Sequence, residues 1–269
     1  MNNEKSQEIK DHWEREDLSK AILDALIASG KNLDALTLDD LAPFDQFHGG
    51  GKRFTIRLAN LAGLKPKMHI LDVGGGLGGP ARTLAHEFGC HVTVVDLTES
   101  YVHAGCMLTS LMKLEDRVTF QVGDALELPF EDNSFDAVWT QNSGMNISNK
   151  ERLYAGFRRV IRPHGLLIFQ EIMSGPNQPP IFPVMWSRNG MNHFLRKPEQ
   201  MRAVIEASGF RLLEWDDVTN EKSPAVPRPM YSIQRLVMGD DLLAEINNAD
   251  KRNDEEKRLV MVHAIFERI

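Results

Sequence analysis

LDVGGGLGGPARTLA, residues 71–85, decides the fold. An apolar run ends at Asp72 and Val73, glycines crowd positions 74 to 79, and a helix-like stretch opens at Pro80. Glycines at such a junction let the backbone approach a ligand closely and leave N–H groups at the helix start facing it. By spacing alone the loop is ambiguous. Gly74, Gly76 and Gly78 fit GxGxG, whereas Gly74, Gly76 and Gly79 fit the dinucleotide pattern GxGxxG.

Reading outward from the loop, short apolar runs alternate with amphipathic stretches. The runs are HILDV (69–73), HVTVVD (91–96), VTFQV (118–122), FDAVWT (135–140) and GLLIFQEI (165–172), and the helix-like stretches are 79–88, 99–113 and 150–161. Runs that are apolar throughout suit strands buried on both faces, and their alternation with helices implies right-handed βαβ units. The expected fold is α/β: a doubly wound, Rossmann-like, mostly parallel seven-stranded sheet with helices on both faces. Residues 1–67 read as an N-terminal helical cap with a loop at 42–51, and 68–269 as the main domain. The proline-rich SGPNQPPIFPVMW (174–186) cannot supply a central strand and begins a lid, at about 174–197, inserted after strand 5. A helix at about 198–208, a strand at 210–217, a helix at about 230–247 and a final strand at 259–269 complete the chain.

Carboxylates separate the two glycine patterns. Asp72 stands two residues before the first glycine, where it would repel a pyrophosphate but suit a ligand with ammonium and sulfonium charges. That favours S-adenosylmethionine (SAM) over NAD. Asp96, at the tip of the second strand, lies near the offset of about 20 residues at which a carboxylate accepts hydrogen bonds from ribose hydroxyls, as either cofactor requires. Asp124, in VGDALELPF (122–130), falls just past the third strand, level with an adenine amino group. Each taken singly suits a helix cap or turn equally well. Their joint register at successive strand ends points to the ligand crevice of an open α/β sheet.

From about 66 to 172 the chain resembles the class I SAM-dependent methyltransferases. LDVGGGLGG stands as the first motif, VVDL as the acidic ribose motif, GDALELPF as the adenine motif, FDAVWTQNSGMNI as the fourth-strand motif and RVIRPHGLLIFQEI as the fifth. His164 departs from the usual Pro-Gly-Gly turn, and Gly75 stands where many members have Cys. LAPFDQFHGGGKRFTIRLANLAGL (41–64), GGPAR (78–82) and QNSGMNI (141–147) extend the likeness to the sarcosine/dimethylglycine N-methyltransferase-like small-molecule enzymes. The resemblance implies SAM as cofactor, S-adenosylhomocysteine (SAH) as product, and direct SN2 transfer to a small-molecule acceptor. The acceptor expected first is an amine. O-, C- or S-methylation of a natural-product-type metabolite, or a SAM-dependent cyclisation on the same fold, are the alternatives.

The cofactor is then expected on Asp72, Gly74, Gly76, Gly78, Asp96, Leu97, Asp124, Ala125 and Gln141. His48 and Gln141 are the candidate catalytic residues, His48 because an imidazole titrates near neutral pH and can take a proton from the acceptor. Phe44, Gln46, Phe47, Asn142, Met145, Trp186 and Arg188 are expected to hold the acceptor. Aromatic rings at 44, 47 and 186 would cage an ammonium, and Arg188 or Arg196 would clamp a carboxylate.

Composition limits the alternatives. The 269 residues carry a formal charge of −7, and no basic stripe marks a nucleic-acid or anionic-membrane partner. With 42% apolar and 26% charged residues the chain reads as an ordinary globule. The two cysteines, Cys90 and Cys106, are too few for a disulfide framework, and no second His/Cys pair at zinc-like spacing supports a metal. Lacking an apolar leader and any run of about 18 apolar residues, the chain is expected to be cytoplasmic, as monomer or homodimer.

Overall fold

Runs rich in Val, Ile and Leu become the inner strands of one seven-stranded sheet, whose edge strands also carry polar residues. The computed structural model describes residues 3–221 and 232–269, the side chains of residues 3–6 excepted. The strands are β1 (His69–Val73), β2 (His91–Asp96), β3 (Val118–Val122), β4 (Phe135–Gln141), β5 (Ile161–Ser174), β6 (Phe210–Asp217) and β7 (Leu259–Arg268), in the order β3-β2-β1-β4-β5-β7-β6. β1 to β5 pair in parallel, whereas β7 runs antiparallel between β5 and β6. Strand order reverses at β1, so the crevice lies at the carboxyl ends of β1 and β4.

The helices are α1 (Asn3–Trp13), α2 (Leu18–Ala28), α3 (Leu38–Asp45), α4 (Gly51–Leu61), α5 (Gly79–Phe88), α6 (Glu99–Leu111), α7 (Lys150–Val160), α8 (Pro198–Ala207), α9 (Ile233–Met238) and α10 (Asp240–Glu255). On one face of the sheet Tyr154 and Phe157 of α7 pack with Phe169, Phe210 and Phe266. On the other, Leu58 of α4 and Leu84 of α5 pack with Trp139 and Ile168. Each such buried side chain contributes about 1.5–3 kcal/mol relative to exposure. A third cluster joins α2, α3, α6, α9 and α10, which roofs the crevice.

Two expectations are corrected. The loop foreseen at 42–51 starts only after Asp45, because a capping box between Thr37 and Asp40 begins α3 at Leu38 and carries it through Pro43. The helix foreseen at about 230–247 is two, α9 and α10, broken at Gly239 (φ 74°) and extending to Glu255; its first two positions lie outside the described residues. The proline-rich segment after β5 forms no strand beyond one bridge, Val184 with Ser187. Among the described residues no helix is long and apolar enough to cross a membrane.

Candidate active site

A cavity of about 970 Å³ opens at the reversal of strand order. Its inner end is the glycine loop. Gly74 (φ 68°) and Gly76 (φ 55°) take the left-handed conformation, and a Cβ on Gly74 would lie 2.4 Å from Cβ of Ser143. Asp72, at the end of β1, is buried, and its Oδ2 has no hydrogen-bond partner. Asp96, at the end of β2, accepts the Gly76 N–H (2.9 Å) on Oδ2 and the Thr98 N–H (2.9 Å) on Oδ1. Burial, and then the neighbouring Asp96 charge, push the Asp72 carboxyl up to about 8; burial also raises Asp96. Two carboxylates thus share one corner, an arrangement that a cationic ligand relieves and a pyrophosphate worsens. Leu97, Asp124 and Ala125 complete this end, with Asp124 Oδ1 capping the Leu126 N–H at 2.8 Å.

The cavity floor is a neutral polar network. Gln141, the last residue of β4, accepts from Thr55 Oγ1 (3.1 Å) and Trp139 Nε1 (3.0 Å), and donates towards Gln170 Oε1 (3.2 Å) and His48 Nδ1 (3.3 Å). His48 Nε2 bonds Gln46 Oε1 at 2.9 Å, and Nδ1 lies 3.1 Å from the Gly49 carbonyl. Burial pushes the His48 imidazole down to about 4, so it is neutral at pH 7. Behind them His263 Nε2 bonds Gln170 Oε1 at 3.0 Å. Asn142, next in line, holds φ 55°, a conformation that Asn tolerates better than most residues and that turns the chain at the crevice.

The outer end is apolar. Trp13 of α1 meets Phe47 edge-on at 5.6 Å and Tyr101 of α6 at 6.4 Å. Met145, in a short 3₁₀ turn (Gly144–Asn146) after β4, packs with Trp186 of the lid and Leu259 of β7. Asn146 fastens the lid by donating to the carbonyls of Trp186 (3.1 Å) and Asn192 (2.9 Å), and His12 of α1 bonds the Met185 carbonyl at 3.1 Å.

Residues 71–169 match the family described as "Methyltransferase domain". The chain is 26% identical over 254 residues to methyltransferase GfsG of Streptomyces halstedii, covering 91% of this chain and 88% of that protein. It is 33% identical over 132 residues to a glycine/sarcosine/dimethylglycine N-methyltransferase of Actinopolyspora halophila, covering 49% of this chain but 23% of that much longer protein. Residues 71–169 therefore carry a methyltransferase domain. The fold of the whole chain is shared by the [4+2]-cyclase SpnF (TM-score 0.72, 22% identity, 98% of this chain and 96% of that one). It is also shared by the geranyl diphosphate C-methyltransferase of Streptomyces coelicolor A3(2), solved with SAH (TM-score 0.68, 18% identity, 100% and 99%). The carboxylate corner at the glycine loop fits the positive charge of SAM, whose demethylated product is bound in that C-methyltransferase structure.

The chain gathers Asp72, Gly74, Gly76, Asp96, Leu97, Asp124, Ala125, Gln141, Asn142, Phe47, His48, Met145 and Trp186 around this one cavity. Five expected residues stand elsewhere. Phe44 is packed into the core with Leu41 because α3 continues past Pro43 and turns both inward. Gln46 is buried behind His48, donating to Thr83 Oγ1 at 3.3 Å. Gly78 (φ 74°) opens α5, where a Cβ would meet Phe120 Cζ at 2.5 Å. Arg188 is exposed on the lid and does not reach the cavity, while Arg196 pairs with Glu151 at 2.8 Å.

Several functional positions were not read from the sequence. Trp13 and Tyr101 carried no local signal, since their meeting depends on packing. Gln170, Glu171 and His263 did carry one, as polar residues inside apolar strand runs. Glu171 is buried on β5 and accepts the N–H of Gly144 (2.9 Å) and of Ser143 (3.4 Å). Buried Lys150 donates from the opposite side to the carbonyls of Gly144 and Ile147, the latter at 2.7 Å. Burial raises the Glu171 carboxyl and lowers the Lys150 ammonium, and each offsets the other's shift. The pair grips the turn that carries Met145 and Asn146.

Proposed function

We propose that this chain moves the methyl group of SAM onto an uncharged nucleophile, a hydroxyl or a neutral amine, of a small-molecule acceptor bound between Gln141, Asn142 and the lid. The supporting observation is the polarity change along one cavity, from the Asp72–Asp96 corner to a floor of neutral amides and a neutral imidazole. When bound, SAM supplies an electrophilic methyl group on sulfur. The chain's own task is then to hold a lone pair in line with it and exclude water, which can contribute about 7–11 kcal/mol.

In this reading Asp72 faces the ammonium and sulfonium end, Asp96 the ribose hydroxyls, and Asp124 with Ala125 the adenine edge. Residues 1–67 serve the acceptor side, and 68–269 hold the cofactor. Gln141 already uses its amide on four partners, so it fixes His48 and Gln170 and presents the floor as one unit. An imidazole that titrates near 4 is a poor resting place for a proton at neutral pH, so His48 orients the acceptor and the proton leaves to water after transfer. A zwitterionic amine loses two of its expected supports, because Phe44 lies in the core and Arg188 lies outside the cavity.

The first test is thermal unfolding with SAH and, separately, with NADH. SAH at about 100 times its Kd stabilises the native state by about 2.7 kcal/mol, and NADH should do nothing. SAH release from SAM is then followed over a panel of alcohols and amines. Stabilisation by NADH alone sinks the reading. SAH binding without SAH release from any acceptor would favour a bound-cofactor role such as cyclisation. His48→Gln should slow turnover without removing it, and complete loss would restore His48 as the base.

A further inference from the structure

The outer half of the cavity offers an observation separate from the cofactor motifs. Its wall is one contiguous apolar cluster, drawn from α1 (Trp13), the turn after β4 (Met145), β5 (Ile172), the lid (Met185, Trp186) and β7 (Leu259). None of these side chains carries a charge. Charged groups that line the cavity away from the glycine loop lie on other elements: Arg235, paired with Asp240, on α9; Lys251, paired with Glu255, with Asp250 and Asp254 on α10; and Asp45, paired with Arg82, at the end of α3. The floor beneath the cluster is Gln141, Asn142 and His48, with the imidazole uncharged.

Size gives a second constraint. A pocket for a single drug-sized ligand starts at about 300 Å³, so about 970 Å³ accommodates the cofactor and leaves room for a second molecule of the same order. A free amino acid of a few heavy atoms would leave most of that wall uncovered, and the wall offers its carboxylate and ammonium no polar partner. Methionines at 145 and 185 give the wall adaptable side chains rather than one rigid outline.

We infer that the acceptor is an uncharged molecule with an extended apolar body, laid against the Trp13–Met145–Trp186 wall with its nucleophile turned down to the Gln141–Asn142 floor. This deepens the methyl-transfer reading and rests on it. The acceptor is a lipid-like or polyketide-like alcohol or neutral amine in chemical class, not an amino acid zwitterion.

The test uses the whole chain loaded with saturating SAH, titrated with 1-decanol and with sarcosine, and read by the fluorescence of Trp13 and Trp186 and by the unfolding midpoint. Decanol is expected to change the fluorescence saturably and raise the midpoint, while sarcosine at a hundredfold higher concentration does neither. Met185→Glu, which puts a charge into the wall, should weaken decanol at least tenfold; should that variant misfold, the wild-type comparison decides alone. Failure of decanol to bind, or sarcosine binding as tightly, overturns the inference and leaves the cofactor reading intact. Failure of SAH itself to bind overturns both, and calorimetry with SAH alone identifies that case.

Discussion

The two ends of the cavity are built on different principles. The cofactor end comes from one stretch of chain, residues 72 to 125, and each of its parts sits where a strand stops. Backbone geometry dominates there: glycines at positive φ, and carboxylates that cap N–H groups. The acceptor end is assembled from Trp13, Phe47, Met145, Trp186 and Met261, which no local pattern connects. It is held by side chains reaching across the fold, with Glu171 and Lys150 gripping the turn and Asn146 gripping the lid. Locally determined backbone geometry at one end thus adjoins long-range side-chain packing at the other.

The sharpest way to break this contrast is to remove the acceptor end's clamp. Lys150→Met takes the ammonium away from two turn carbonyls and removes the charge that offsets the burial of Glu171, and stripping buried polar groups of their partners costs about 1–3 kcal/mol each. Urea unfolding should show that loss, and Lys150→Met/Glu171→Gln should recover part of it. A loss below about 1 kcal/mol in the single variant would mean that the turn is held by packing alone. At the other end, Asp96→Ala removes the brace on Gly76 and, in the proposed reading, the acceptor of the ribose hydroxyls together. SAH affinity measured by calorimetry should drop at least 100-fold, about 2.7 kcal/mol, with the protein still folded. Affinity within threefold of wild type would dissociate Asp96 from the cofactor.

Titration gives the two ends opposite signs. Asp72 rises to about 8, so between about pH 4 and 8 the native protein keeps a proton that the unfolded chain has released, and stability falls as pH rises. His48 falls to about 4, so its contribution is complete above about pH 6.5 and is lost as pH drops towards 4. Below pH 6.5 the two oppose each other. From pH 6.5 to 8 His48 is silent, and the Asp72 contribution to the free protein should fall by about 2 kcal/mol. Urea unfolding at the two pH values, on wild type and Asp72→Asn, isolates it; an equal drop in the variant would assign the effect to another group.

The same contrast explains what could be read from sequence. β1, β2 and β3 begin and end at the residues where their apolar runs do, because β-branched and aromatic residues favour the extended backbone even where, as in β3 at the sheet edge, most side chains are only partly buried. The three carboxylates were legible because each stands at or just past the carboxyl end of such a run. Phe44 was misplaced for an equally physical reason: the Thr37–Asp40 box starts a helix that Pro43 does not stop, and i,i+3 spacing then puts Phe44 on the face of Leu41. Arg188 looked suitable by chemistry, but side-chain direction on an irregular lid has no period to read. Gln170 and His263 were findable as polar residues at buried positions of apolar strands, where each needs a partner.

The smallest expected effect lies at neither end of the cavity and so serves as a control on both. His164, near the start of β5, holds φ 62° with its ring exposed and Nδ1 3.0 Å from Glu267. A non-glycine residue in that region costs about 1–2 kcal/mol, and glycine relieves it. Glycine also has about 0.5–1 kcal/mol more backbone entropy to lose on folding, which offsets much of the relief. His164→Gly should therefore shift unfolding free energy by less than about 1 kcal/mol and leave SAH and decanol binding unchanged. A larger gain would show that the turn stores strain which the rest of the sheet has to hold. Altered SAH affinity would show that the two ends of the sheet communicate, and the cofactor seat would then not be the locally determined structure that its motifs describe.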